Sequence, residues 1–280
     1  MSMSLIVSAA TNKEGSCAVI IGASHVTLGC ENIVAAIASL RPHGYDPEFI
    51  ADDVANHASK RGSLSGWSDL HSLALLRSKQ GFAIELISYS SGSAESFGKY
   101  IGILNSPAAQ GASPIAHLEF LRTTLAEGGM NYSVGHIAEL DLPVLLTAEG
   151  VAEHGLKKIV LPVSDLERAS AFWCKGLGYR RKNAARDIAE LSSVSPVAAW
   201  RVDIVLIQSL DGPKASVLDA KGMACLAFLS SSIENDGANL ERLGAIRVTE
   251  VFPIYVNGKS MNILVLDFDG AYVELVQVLL

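Results

Sequence analysis

With 280 residues, 49% of them apolar, the chain can fill two ordinary domains or one large one. A net charge of -7 with no basic stripe excludes nucleic acid as the expected partner. No apolar run approaches the roughly 20 residues of a membrane span, the N-terminus lacks a secretory signal, and four cysteines stand without CxxC spacing, so the expectation is a cytoplasmic protein with reduced thiols.

Residues 1–15 read as an arm or an edge strand. Ala18 to Ile21 and Ser24 to Leu28 are β-rich apolar runs around a break at Gly22, and His25 stands on the second. Glu31 to Leu40 places Ile33, Val34, Ile37 and Leu40 on one helical face, and Arg41-Pro42-His43-Gly44 stops it. The polar stretch from there to Ser68 has no periodicity and reads as a long loop or irregular strands; its Trp67 is the aromatic expected to meet a substrate. Leu73 to Leu76 and Phe82 to Ile87 make a hairpin, with Glu85 set between apolar neighbours.

Residues 91–112 read as a loosely packed connection, and 114–129 fits strand or helix equally, with His117 inside it. Leu142 to Leu146 is strand-like, and Thr147 to His154 is the expected interdomain linker, which divides the chain into 1–150 and 151–280. The clearest pattern follows: an apolar strand at 159–163, a Ser164-Asp165 cap, Leu166, Ala169, Phe172 and Trp173 at helical spacing, and Gly176 and Gly178 as the stop. Ala199 to Gln208 reads as a strand pair. Met223 to Leu229, Ser232 to Leu243 and Gly244 repeat strand, helix and stop, and a hairpin over 262–277 turns at Asp267-Phe268-Asp269-Gly270, its last strand carrying Glu274. Strand, helix and hairpin recur at least three times, with a degraded copy between 100 and 150.

LPVSDLERASAFWCKGLGY together with DFDGAYVELVQ resembles the vicinal oxygen chelate superfamily of glyoxalase I, bleomycin-resistance proteins and extradiol dioxygenases. The resemblance implies an α+β fold of paired βαβββ modules that form two cupped mixed sheets. It also implies metal ligands on the first and last strands of each module. In the C-terminal half the first-strand positions fall on Lys158 and Cys225 where histidine is usual, and only Glu274 keeps the expected type. An ammonium repels a divalent metal, so that half is expected to be metal-free, with Lys158 and Glu274 facing each other as a salt bridge or as a catalytic pair. Cys225 as a nucleophile would need its pKa lowered by Lys158. In the N-terminal half His25 and Glu85 occupy the expected ligand positions, and His117 would complete a set for Zn, Ni, Mn or Fe.

These residues imply a glyoxalase-like lyase or isomerase acting on a small carbonyl or vicinal-oxygen substrate, with Glu85, Lys158 and Glu274 as catalytic candidates. A metal-free binding protein of the drug-sequestering type is the second reading, and a ring-cleaving dioxygenase with iron in the N-terminal half is the third. The expected partner is a small molecule, and open module edges allow a homodimer.

Overall fold

The computed structural model describes residues 20–79, 81–90, 101–105, 132–147, 155–185, 187–195, 201–209 and 217–279. The expected N-terminal arm, most of the linker, the ambiguous stretch 114–129, His117 and Trp200 lie outside the described residues. The first module is β1 (Ile20–Gly29), α1 (Ile33–Leu40), β2 (Tyr45–Ala55), β3 (Leu70–Ser78) and β4 (Ile84–Tyr89). A second stretch contributes β5 (Ile101–Asn105), β6 (Tyr132–Ile137) and β7 (Leu142–Thr147). The next module is β8 (Gly155–Val163), α2 (Leu166–Leu177), β9 (Tyr179–Ala185), β10 (Ile188–Ser193) and β11 (Asp203–Gln208). The last runs β12 (Gly222–Ser230), α3 (Ile233–Arg242), β13 (Ile246–Arg247), β14 (Phe252–Val256), β15 (Lys259–Phe268) and β16 (Ala271–Val278).

Local chemistry sets these boundaries. The Asp165 carboxylate accepts from the Arg168 amide at 2.9 Å and starts α2, and Gly178 at φ +74° ends it. Asn32 does the same for α1 through the Ala35 amide at 3.0 Å. The last hairpin turns on Asp269 and Gly270, both at positive φ, the backbone a tight two-residue turn requires. Of the two readings for the stretch after Gly44, a long loop or irregular strands, the strand is found: β2 is eleven residues long, with register shifts, at the edge of its sheet. Its outward positions carry Asp46, Glu48 and Asp52, and an edge tolerates Pro47, so neither apolar alternation nor a breaker signal could be trusted there.

In every module the first and last strands pair in parallel. The sheets, however, do not follow the two halves of the chain. β1 pairs antiparallel with β12, so the first and last modules share one nine-stranded sheet in the order β13-β15-β16-β12-β1-β4-β3-β2, with β14 on β15. β5 pairs with β8, and the middle segments form a seven-stranded sheet in the order β6-β7-β5-β8-β11-β10-β9.

Period-2 alternation then assigns the two faces of the larger sheet. Val26, Leu28, Leu86, Leu226, Phe228, Leu264 and Leu275 belong to the main core together with the helices and the second sheet. Ile87, Tyr89, Cys225, Ala227, Ile263 and Tyr272 form a separate cluster on the other, concave face. Phe172 of α2 stacks on Phe268 with ring centres 3.7 Å apart, which ties the third module to the fourth. The two sheets also meet at Tyr45, whose hydroxyl donates to the Phe82 carbonyl at 2.8 Å and accepts from the Leu156 amide at 2.7 Å. The chains cross so closely there that a Cβ on Gly81 would come within 2.8 Å of the Gly155 Cα.

Candidate functional site

Strand register brings His25, Thr27, Glu85, Cys225 and Glu274 together on the concave face. Thr27 on β1 lies opposite Glu85 on β4 and opposite Cys225 on β12, while His25 lies opposite Ala227. Ala227 in turn lies opposite Glu274 on β16. In both outer modules the carboxylate pairs with the residue two positions beyond the first-strand candidate, His25 or Cys225. The equivalent pair in the third module is Val160 opposite Val205, with no carboxylate.

His25 Nε2 stands 3.7 Å from Glu85 Oε2 and 4.0 Å from Glu274 Oε1, and all three side chains are at most 19% exposed. His25 Nδ1 lies 3.1 Å from the Ser24 hydroxyl, and Nε2 has no hydrogen-bond partner among the described residues. Thr27 donates to Glu85 Oε1 at 3.2 Å, and the Cys225 thiol lies 4.0 Å from Glu274. Burial pushes the carboxyl pKa of Glu85 upward, opposed by Lys60 and by the Thr27 hydrogen bond. Burial does the same to Glu274, reinforced by the Glu85 charge and opposed by His25 and Lys60. Burial pulls His25 below the usual imidazole value, with Glu274 working against it.

This cluster forms the floor of a cavity of about 80 Å³ whose walls are largely apolar: Phe49, Leu73, Ile254, Val256, Met261 and Ile263. Lys60, His71 and Tyr89 also face it. Lys60 rides on the 3₁₀ turn Ala58–Ser63, which is fastened to the last module. The Asp219 carboxylate accepts from the Ser65 amide at 2.9 Å, from the Ser65 hydroxyl at 2.6 Å and from the Gly66 amide at 3.3 Å. His57 stacks on Phe252 at 5.0 Å beside it.

Several expectations change on this geometry. Lys158 and Glu274 do not face each other: Lys158 lies in the seven-stranded sheet and pairs with Glu190 at 2.6 Å. The reason is the β1–β12 pairing, which draws Glu274 to the N-terminal module. The Cys225 thiol is pushed up by burial and by Glu274, so it is no activated nucleophile. Trp67 does not line the cavity; its indole donates to Asp69 at 2.7 Å and Arg61 covers its ring at 4.6 Å. His117 lies outside the described residues. Lys60 and His71 are additions that the sequence reading did not assign. His71 could have been found by extending the alternation Leu75, Leu73 back by two residues along β3.

Among the described residues no three His, Cys, Asp or Glu side chains are placed so that they could hold a metal ion as they stand. The donor set nonetheless suits a divalent ion. In the tautomer whose Nδ1 donates to Ser24, Nε2 offers a lone pair that faces both carboxylates. Ligand atoms about 2.1 Å from one tetrahedral ion lie about 3.4 Å apart, so the 3.7 and 4.0 Å separations from His25 would have to shorten and the two carboxylates would have to draw together around the ion.

No protein-family model matches the chain, and no curated protein sequence matches it. Solved structures do. Glyoxalase I from Zea mays superposes with a TM-score of 0.54 at 15% identity over 93% of this chain and 92% of that one. Its V278E mutant superposes with a TM-score of 0.57 at the same identity and coverage. A candidate dioxygenase from Bacillus subtilis superposes with a TM-score of 0.55 at 12% identity over 93% of this chain and 86% of that one.

Proposed function

We propose that the chain, which has the fold of the vicinal oxygen chelate superfamily, is a glyoxalase-like enzyme of lyase or isomerase type. It moves a proton at a carbon beside the carbonyl or vicinal oxygen of a small substrate. The observation that carries this reading is the convergence of three lone-pair donors, His25 Nε2, Glu85 and Glu274, from the first and last modules into one cavity. His25, Glu85 and Glu274 would hold a divalent metal, Zn, Ni, Mn or Fe, which when bound polarises a carbonyl oxygen and acidifies the adjacent C–H.

The two carboxylates divide the remaining work. Glu85 is held in place by the Thr27 hydroxyl, so its orientation is fixed. Glu274 has the Cys225 thiol and His25 Nε2 beside it, each at 4.0 Å, and no short hydrogen bond such as Thr27 gives Glu85, so it is freer to swing to a substrate carbon. Swung away from the metal into its apolar surroundings, its carboxylate would be suited to taking a proton and returning it. The apolar walls exclude water from that exchange. A ring-cleaving dioxygenase calls for two histidines and a carboxylate, and the four family positions of this site supply one histidine.

The test is solvent exchange. Hydroxyacetone in D₂O with the metal-loaded protein should incorporate deuterium beside the carbonyl, followed by proton NMR. Glu274→Gln and Glu85→Gln should each slow this by about 100-fold or more. The apolar walls favour a ligand-sequestering protein as the second reading. No exchange above background, with the probe still bound, would establish that reading and reject the enzyme.

A further inference from the structure

One wall of the cavity carries a cation that the proposed proton transfer leaves unused. Lys60 is 7% exposed, faces the cavity, and places Nζ 5.4 Å from the centre of the Phe252 ring. Among the described residues no carboxylate lies within ion-pair distance of it; it acts on Glu85 and Glu274 only through space. The Asp219 clamp on the adjoining Ser65 and Gly66 holds this segment, and with it the ammonium, against the cavity.

His71 faces the same cavity. It is 3% exposed, and neither ring nitrogen has a hydrogen-bond partner of sound geometry among the described residues, although backbone polarity at its cross-strand neighbour Val54 slightly favours protonation. Burial and the Lys60 charge hold the ring neutral, so it offers one N–H and one lone pair. A cation with no carboxylate in ion-pair contact and an imidazole N–H, both facing one cavity, are the complement of a carboxylate. The apolar side chains Phe49, Leu73 and Ile254 around it suit a short hydrocarbon body.

We propose that Lys60 and His71 form a subsite for a carboxylate of the ligand, which makes the substrate class a small, apolar-bodied carboxylic acid. The inference rests on the reading that His25, Glu85 and Glu274 are the reacting centre, which places the reactive carbon at one end of the molecule and the anion at the other. The probes are butanoate and its neutral isostere butanamide, titrated by NMR into the full chain with a chelator present, so that no metal captures the carboxylate.

Butanoate should bind the wild type more tightly than butanamide does, and Lys60→Met should lose about tenfold or more of butanoate affinity while leaving butanamide unchanged. Lys60→Arg should keep the preference for the acid, and so should Glu85→Gln. Equal binding of acid and amide by the wild type would overturn the subsite even if Lys60→Met failed to fold. A preference lost in Glu85→Gln and kept in Lys60→Met would move the carboxylate to the reacting centre, rejecting the subsite but not the proposed reaction. The reverse pattern, with no deuterium exchange into 4-oxopentanoate, which carries both the carbonyl and the carboxylate, would leave an acid-binding pocket and reject the enzyme.

Discussion

Replacing Glu274 by Gln should make the metal-free protein more stable at alkaline pH. Glu85 and Glu274 lie 3.7 and 4.0 Å from the same His25 nitrogen, so their nearest oxygens are at most about 7.7 Å apart. At an effective dielectric near 20, two full charges at that distance repel by about 2 kcal/mol, and Lys60 offsets part of it. Gln keeps the shape and removes the charge, so a gain of about 1–2 kcal/mol is expected at pH 8.

The sign follows from linkage. Glu274 has a folded-state pKa raised above its ordinary 4.5, so its contribution to stability is fully present below that value and is lost as pH rises through the folded pKa. The advantage of Glu274→Gln should therefore shrink toward zero near pH 4.5 and grow as pH rises. Urea unfolding with a chelator, at intervals from pH 5 to pH 8.5, measures it. Adding Zn or Mn should reverse the ranking, because a cation between the carboxylates stabilises the wild type more. A variant destabilised by the same amount at every pH would refute the argument, since it would mean that Glu274 makes a needed hydrogen bond and carries no repulsion.

Two further outcomes follow from the same geometry. His71 is held neutral with its pKa lowered from 6.5 to about 3, so its contribution is present above pH 6.5 and drains away as pH falls toward 3. His71→Phe should accordingly flatten the acid limb of the stability profile by about 3 kcal/mol at pH 4.5, measured by urea unfolding, and a parallel profile would contradict the assignment. Lys158→Met should cost about 1–2 kcal/mol, because Glu190 loses its 2.6 Å partner, with no change in metal content or deuterium exchange. A loss of exchange would restore Lys158 to the reacting centre.

Much of this was legible in the chain where one element decides its own form. The capped helix at 166–177, the turn at Asp269-Gly270 and the carboxylates Glu85 and Glu274 on period-2 strands need only neighbouring residues to be read. The partner of each module was not legible. β1, β8 and β12 are all apolar runs of similar length, and nothing local in them states that β1 takes β12 while β5 takes β8. That choice alone moved Glu274 away from Lys158 and beside His25. β2 was ambiguous because its outward face is charged, and Lys60 was hidden because its turn is positioned by Asp219, 159 residues further along the chain, and not by any periodicity of its own.

The proposed reaction requires that His25, Glu85 and Glu274 hold a metal. Mass spectrometry of the purified, untagged protein should find near one equivalent of a divalent metal in the wild type. His25→Ala should lose it, and Lys158→Met should retain it. No metal in the wild type after exposure to Zn, Ni, Mn and Fe, or equal metal in wild type and His25→Ala, would contradict the central claim.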